Sequence, residues 1–328
     1  MTRRILFIIN PAAGGGRGRQ NWEEFERGVL RATGGVPELG TTGDCASKAP
    51  ALLKKVFTTA PGEAKRIAAR ASGNYDVLAA VGGDGTVWEV ANGILTAKEK
   101  RAGLAILPCG TGNDIARNAG VRNLDDAWST LRRGSSTPID VIEVQCCADS
   151  KAEVFHALSF AGVGIIGPLL RAATPTAKRL LGQRLAYRLG LLRTLCSYKP
   201  APMRIKCDGQ AFEGRFLFLG ASNGEHAGGG LRLAPGAQIN DGLLNINLVM
   251  AVGRVDGLGQ LGRLARGQHT NHPKVRYFQS RRISVDAELP LEVAVDGELV
   301  GHTPARFEVK PRVLSLFANA ECIRAVPP

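Results

Sequence analysis

The sequence predicts a two-domain protein: a doubly wound parallel α/β domain over residues 1–135, then a β-sandwich domain over 136–328. Three observations support this. Apolar runs alternate with helical spacing as far as residue 120. Three of those runs end in glycine-bearing loops that open a helix. Beyond residue 140, short β-like runs recur between Asp-Gly and Asn-Asp-Gly turns.

In chain order, Arg4–Ile9 reads as a buried parallel strand, and a loop from Asn10 to Arg19 follows. That loop fits neither G-x-G-x-x-G nor G-x-x-x-x-G-K-[ST]. Its cations, Arg17 and Arg19, suit either phosphate oxygens or water. The next helix is expected near Asn21, with Glu23 and Glu24 in its first turn. Gly34–Pro50 reads as loop, Lys55–Thr58 as a short strand and Pro61–Ser72 as a helix.

The central stretch is Val77–Val81 as strand, Gly82-Gly83-Asp84-Gly85-Thr86 as turn, and Val87, Val90, Ala91 and Ile94 on one face of a helix. Glycines let the backbone approach a bulky ligand, and the N–H groups opening the helix suit a phosphate. A carboxylate there is unfavourable alone and favourable with a magnesium ion. The bland alternative is a tight turn in which Asp84 caps a helix. Ala102–Leu107 then reads as a strand, Pro108–Arg117 as a third polar strand-to-helix junction, Leu124–Arg133 as a helix and Pro138–Val141 as the opening of a strand. Parallel α/β sheets hold ligands beyond their strands' carboxyl ends, where all three loops lie.

The second half offers β-like runs at 154–160, 203–207, 215–221, 243–249, 283–285, 291–295, 306–309 and 313–317. Thr176–Cys196 interrupts them with a helix-like, basic and Leu-rich stretch suited to an anionic bilayer or to covering the β core.

The net charge of +13 favours anionic partners. Nine Lys/Arg and no acid fall between Glu153 and Asp208. Sparse aromatics and no recognised module argue against nucleic acid. The seven cysteines form no C-x-x-C pair, which fits a reducing cytoplasm. No apolar run approaches a membrane span, so any membrane contact is expected to be peripheral. His269-x-x-His272 lacks nearby partners and reads as structural.

Taken together, Asn10-Pro11 with its glycine loop, Gly82–Thr86, Gly110–Arg117, Gly228–Gly230, Ala234–Leu244 and Asp296-Gly297-Glu298 resemble, in order and spacing, the diacylglycerol kinase catalytic-domain family and its soluble bacterial lipid kinases. The Gly-Asp-Gly-Thr loop alone is shared with NAD kinases and phosphofructokinases. The resemblance implies ATP-dependent phosphorylation of a lipid hydroxyl in a cleft between an α/β domain of NAD kinase/phosphofructokinase type and a β-sandwich. The last residues are expected to pack back on the first domain.

The resemblance also implies residue roles. Asn10, Gly16, Arg17, Thr58, Gly82, Gly83, Asp84, Gly85, Thr86, Val87, Trp88, Thr111, Asn113 and Asp114 would form the ATP site. Asp84, Asp114 and Asp140 would hold the catalytic Mg2+, partly through water. Asp296 would be the general base, with Glu298 the second candidate. Asp241, with backbone carbonyls of Leu243 and Gln238, would bind a separate structural Mg2+. The partner would be a lipid at an anionic membrane surface, with a homodimer as one option. Two departures stand out. Trp88 replaces a small polar residue, and Asn240 replaces an Asp, which removes one charge from the structural magnesium site. A kinase of a soluble acceptor (NAD or a sugar phosphate) and a non-catalytic nucleotide- or lipid-binding protein are the rival readings.

Overall fold

The computed structural model describes residues 3–32, 40–41, 53–99, 102–148, 151–172, 190, 193–195, 197–318 and 323. The chain divides into two units: unit 1 runs to Ile139 and takes in the return from Val313, and unit 2 is Asp140–Arg312. The helix expected at 176–196 lies almost wholly outside the described residues, as does the loop expected at 34–50.

In unit 1 the strands are β1 (Ile5–Ile9), β2 (Gly40–Thr41), β3 (Leu53–Phe57), β4 (Val77–Gly82) and β5 (Gly103–Pro108). All pair in parallel, in the order β2-β3-β1-β4-β5. Every residue of β1 and β4 is buried, as continuous apolar runs in a parallel sheet require. The helices are α1 (Ala13–Gly16), α2 (Gly18–Ala32), α3 (Glu63–Ala71), α4 (Asp84–Thr96), α5 (Asp114–Asn118) and α6 (Leu124–Arg133). The α3–α4 contact is close: a Cβ on Gly93 would fall against Lys65 O and Ala68 Cβ. Helix α6 starts with Asn123 accepting from Asp126 N–H at 2.8 Å and stops at Gly134, φ 73°.

One helix start differs from expectation. Helix α2 opens at Gly18, so its first turn holds no acid and Glu23 and Glu24 lie further in. The cause is packing: a Cβ at 18 would strike Asn10 O and Pro11 O, so only glycine lets the chain turn into the helix so close to the loop.

In unit 2 the strands are β6 (Thr137–Ala148), β7 (Lys151–Ala157), β8 (Phe160–Gly164), β9 (Ala201–Cys207), β10 (Gln210–Ser222), β11 (Leu244–Met250), β12 (Val275–Ser280), β13 (Arg282–Ala287), β14 (Glu292–Val295) and β15 (Glu298–Phe317), with helices α7 (Ile166–Ala172) and α8 (Arg254–Ala265). The pairs among β8, β14, β15, β13, β9 and β10 are antiparallel and form a closed circuit. The long strands β10 and β15 make this circuit by giving different halves to different partners. The runs expected at 306–309 and 313–317 therefore belong to one continuous strand, and 154–160 divides into β7 and β8. Asp208-Gly209 and Asp296-Gly297 are two-residue hairpin turns with both φ values positive.

Candidate active site

Unit 1 gathers its candidates at one edge of the sheet. The chain leaves β1 toward β3, then crosses back to β4, so the strand order reverses at β1 and β4. A crevice opens outside such a reversal. The loops there are tied together. Asn10 N–H donates to Val81 O at 2.9 Å, and Asn10 Nδ2 donates to Thr86 Oγ1 at 3.0 Å. Asn10 Oδ1 accepts from Ala12 N–H at 3.0 Å, which shapes the first glycine loop. Thr58 N–H bonds Ile9 O, and Cys109 N–H bonds Gly82 O, both at 2.8 Å.

Two glycines are required by contact. At Gly14 φ is 61°, and a Cβ would lie 2.5 Å from Cys109 O. At Gly110 a Cβ would strike the Gly83 backbone. The first, second and third glycine loops thus touch one another. Gly16 (φ 92°) and Arg17 stand exposed on this loop. Arg19 lies over the Phe57 ring at 4.5 Å, a cation–π contact that the sequence does not announce.

Helix α4 begins at Asp84 behind Gly83, which offers no side-chain cap. The first N–H groups of such a helix have no intrahelical acceptor and suit an anion. Asp84 does not cap its own helix. Its Oδ1 accepts from Ile115 N–H, in the first turn of α5, at 2.9 Å. Asp84 thus caps the neighbouring helix rather than its own. Burial pushes the Asp84 carboxyl up against the pull of Ile115 N–H, and the charge of Asp114 adds to the rise. Asp114 is itself buried and pairs with Arg117 at 2.5 Å. Asn113, in the left-handed region, closes the loop with Oδ1 accepting from Gly110 N–H at 3.1 Å and Nδ2 donating to Gly110 O at 2.9 Å. Thr111 is exposed, Trp88 half-buried, and the Val87 side chain buried.

Unit 2 holds the remaining candidates. Asp140 is fully buried and works as a brace: Oδ1 accepts from Arg312 N–H at 2.8 Å and Oδ2 from Gly242 N–H at 2.6 Å. Its own N–H donates to Ile239 O at 2.7 Å, and its carbonyl accepts from Asn223 Nδ2 at 2.8 Å. Burial raises its carboxyl despite those donors and Arg312. Asp241 Oδ1 accepts from Leu243 N–H at 3.0 Å. Burial raises Asp241 as well, with Asp140 adding to it.

Asp296 turns back from its hairpin into the β7–β8 connection. Oδ2 accepts from Leu158 N–H at 2.6 Å, and Oδ1 from Ser159 and Phe160 N–H at 3.0 and 2.9 Å. Three backbone N–H groups thus fix the carboxylate in place. Glu298 opens β15 and is exposed; Gln238 is half-buried beside the Ile239–Asp241 loop. Sequence reasoning assigned no role to Asn223, Arg117 or the 158–160 backbone. Only the Gly110–Arg117 motif contained a signal for any of them.

The donor sets fit magnesium. Each unit brings together two buried or half-buried carboxylates, Asp84 with Asp114 and Asp140 with Asp241, whose mutual repulsion a hard divalent cation would relieve. Among the described residues no three His, Cys, Asp or Glu side chains group closely enough to hold a metal, so phosphate, water or carbonyl oxygens must complete either set. His269 and His272 do not converge: His269 Nε2 meets Asn247 Oδ1 at 3.3 Å, and His272 Nδ1 accepts from Lys274 N–H at 3.2 Å.

Residues 4–144 match the diacylglycerol kinase catalytic domain, and 170–318 match the YegS C-terminal NAD kinase beta sandwich-like domain. A diacylglycerol kinase of Staphylococcus aureus (strain bovine RF122 / ET3-1) is 32% identical over 98% of this chain and 95% of its own length. The chain belongs to the diacylglycerol kinase family, a family of lipid kinases. A diacylglycerol kinase of Bacillus subtilis (strain 168) is 31% identical over 76% of this chain and 80% of its own. A crystal structure of a diacylglycerol kinase from Bacillus anthracis str. Sterne shares the fold, with a TM-score of 0.71 at 23% identity over 98% of both chains. Among the described residues no helix of the kinase is long and apolar enough to cross a membrane.

Proposed function

We propose that this kinase transfers the γ-phosphate of ATP to the hydroxyl of a membrane lipid: a diacylglycerol, phosphatidylglycerol or sphingoid-type acceptor met at an anionic surface. The observation that carries the reading is the meeting of three glycine loops at the start of α4, with Asp84 among them. Phosphoryl transfer needs positioning and charge neutralisation more than covalent chemistry. The α4 N–H groups and Arg17 would hold phosphate oxygens, with Asn10, Thr58, Thr86 and Thr111 around the nucleotide. Magnesium, when bound, would neutralise charge on the transferring phosphate. Asp84 and Asp114 would hold it, with Asp140 acting through water, since both Asp140 oxygens are already engaged. Asp241, with Leu243 and Gln238 carbonyls, would take the structural ion.

Asp296, held by three backbone N–H donors at the β14–β15 turn, would accept the lipid's proton, with Glu298 as the second candidate. The same reading includes the finer architecture: helices on both faces of the unit 1 sheet and a sandwich in unit 2. The test is phosphate transfer from labelled ATP to a mixed lipid extract, followed by mass analysis of the products. Asp84→Ala is expected to lose activity by roughly 100-fold or more. Transfer to no lipid would refute the function, and full activity in Asp84→Ala would refute the site.

A further inference from the structure

A cavity lies within unit 2. It has a volume of about 650 Å³, and Arg281, Arg282 and Arg312 line it together with Asn240 and the backbone at Gly242. That volume suits a small molecule. None of the proposed nucleotide residues borders it.

Two of its three carboxylates, Glu308 and Asp208, are already compensated. Glu308 faces three cations: Arg282 at 3.1 Å, Arg306 at 2.8 Å and Lys310 at 3.6 Å. Asp208 accepts from Ser280 Oγ at 2.6 Å and Arg281 N–H at 2.8 Å. Asp241 is turned to Leu243 N–H. Among the described residues, neither the Arg281 nor the Arg312 guanidinium donates to a carboxylate. Two planar, permanently charged forks therefore line the cavity with donors to spare, the chemistry that phosphate oxygens match.

The cavity is also built in advance. Its 240–242 and 311–312 walls are pinned by one residue, since Gly242 and Arg312 N–H both donate to Asp140. Gly242 and Arg312 sit in the left-handed region at φ 72° and 55°. Asp208, on a third wall, is at φ 39°. A wall held in an uncommon conformation by a buried carboxylate need not be ordered when a ligand arrives.

We infer that this cavity is a binding site for a phosphate group, separate from the ATP site and gripped by Arg281 and Arg312. The phosphate could belong to a soluble phosphomonoester or to a lipid headgroup. The inference does not rest on the kinase reading, because the test measures binding.

The test uses the full chain. Inorganic phosphate and glycerol 3-phosphate are titrated by calorimetry, and phosphatidylcholine vesicles with and without phosphatidic acid are sedimented with the protein. In Arg281→Gln/Arg312→Asn each productive probe is expected to bind about tenfold more weakly or worse. Asn tolerates the left-handed backbone at 312. The single Arg281→Gln change, at an exposed side chain, guards against misfolding and should leave ATP affinity unchanged. Weakened binding of the soluble probes assigns a free phosphate ligand; weakening confined to phosphatidic acid vesicles assigns a headgroup. Affinities that the substitutions leave alone for every probe, or no binding of any probe to the parent protein, would overturn the inference.

Discussion

At the residue scale, the candidate acids do more than one job. Asp296 accepts three backbone N–H groups, so its removal would disturb the β7–β8 connection as well as any proton transfer. The two roles separate by substitution. Asp296→Asn keeps the oxygen that accepts from Ser159 and Phe160 N–H, loses the acceptor for Leu158 N–H and cannot serve as a base. We expect it to lose about 10²–10⁴ in kcat while keeping most of the melting temperature. Asp296→Ala should lose both. An Asn variant as active as the parent would move the base to another group, with Glu298 the first to examine. Asp140 is the more demanding brace. Asp140→Ala leaves Gly242 and Arg312 N–H without their acceptor, at about 1–3 kcal/mol each. A melt of Asp140→Ala within a degree of the parent would show that water replaces the carboxylate at little cost.

Scaled up to elements, the site depends on how closely the strand-end loops approach. Gly14 combines a left-handed backbone with a Cβ that would lie 2.5 Å from Cys109 O. Gly14→Ala is expected to cost about 1–2 kcal/mol from the backbone alone and more from the clash. It should also weaken ATP binding, because the first and third loops would be pushed apart. Gly28→Ala is the control, at a helical position where a Cβ meets nothing within 4 Å. Equal effects of the two on ATP affinity would argue against loop convergence. Helix α4 contributes its unpaired N–H groups, and the cap it receives from no side chain keeps them available.

Viewed across the whole molecule, buried acidity is held in both units. Asp84, Asp140 and Asp241 all have carboxyls raised above their ordinary value of 3.8, chiefly by burial. The sign follows. A raised carboxyl favours the protonated fold, so no stability is lost to it below the unfolded value. Stability then falls as pH rises through the folded value. A divalent cation would reverse that cost only where the carboxylates are charged. Magnesium should therefore raise the melting temperature at pH 7 and do so progressively less as pH falls toward 4, with Asp241→Asn reducing the gain. An increment that does not change with pH would point to binding away from these acids.

The glycine loops and the class of each half were legible from local pattern, whereas the roles of Asp114, Asp140, Asp241 and Asp296 rested on the family resemblance. Loop glycines, hydrophobic periodicity and Asp-Gly turns each carry their meaning within a few residues. Tertiary structure decided what those residues touch. That Asp84 caps a helix other than its own, that Asp140 spends both oxygens on backbone, that Arg19 lies over Phe57 and that α2 starts at Gly18 all depend on partners distant in sequence or on close loop packing. The Arg281–Arg312 cavity is the extreme case. It draws on four separate stretches between Asp208 and Arg312, and no spacing in the chain announces it. Periodicity is a property of neighbours along the chain, whereas hydrogen-bond satisfaction is settled only once distant backbone groups have been brought together.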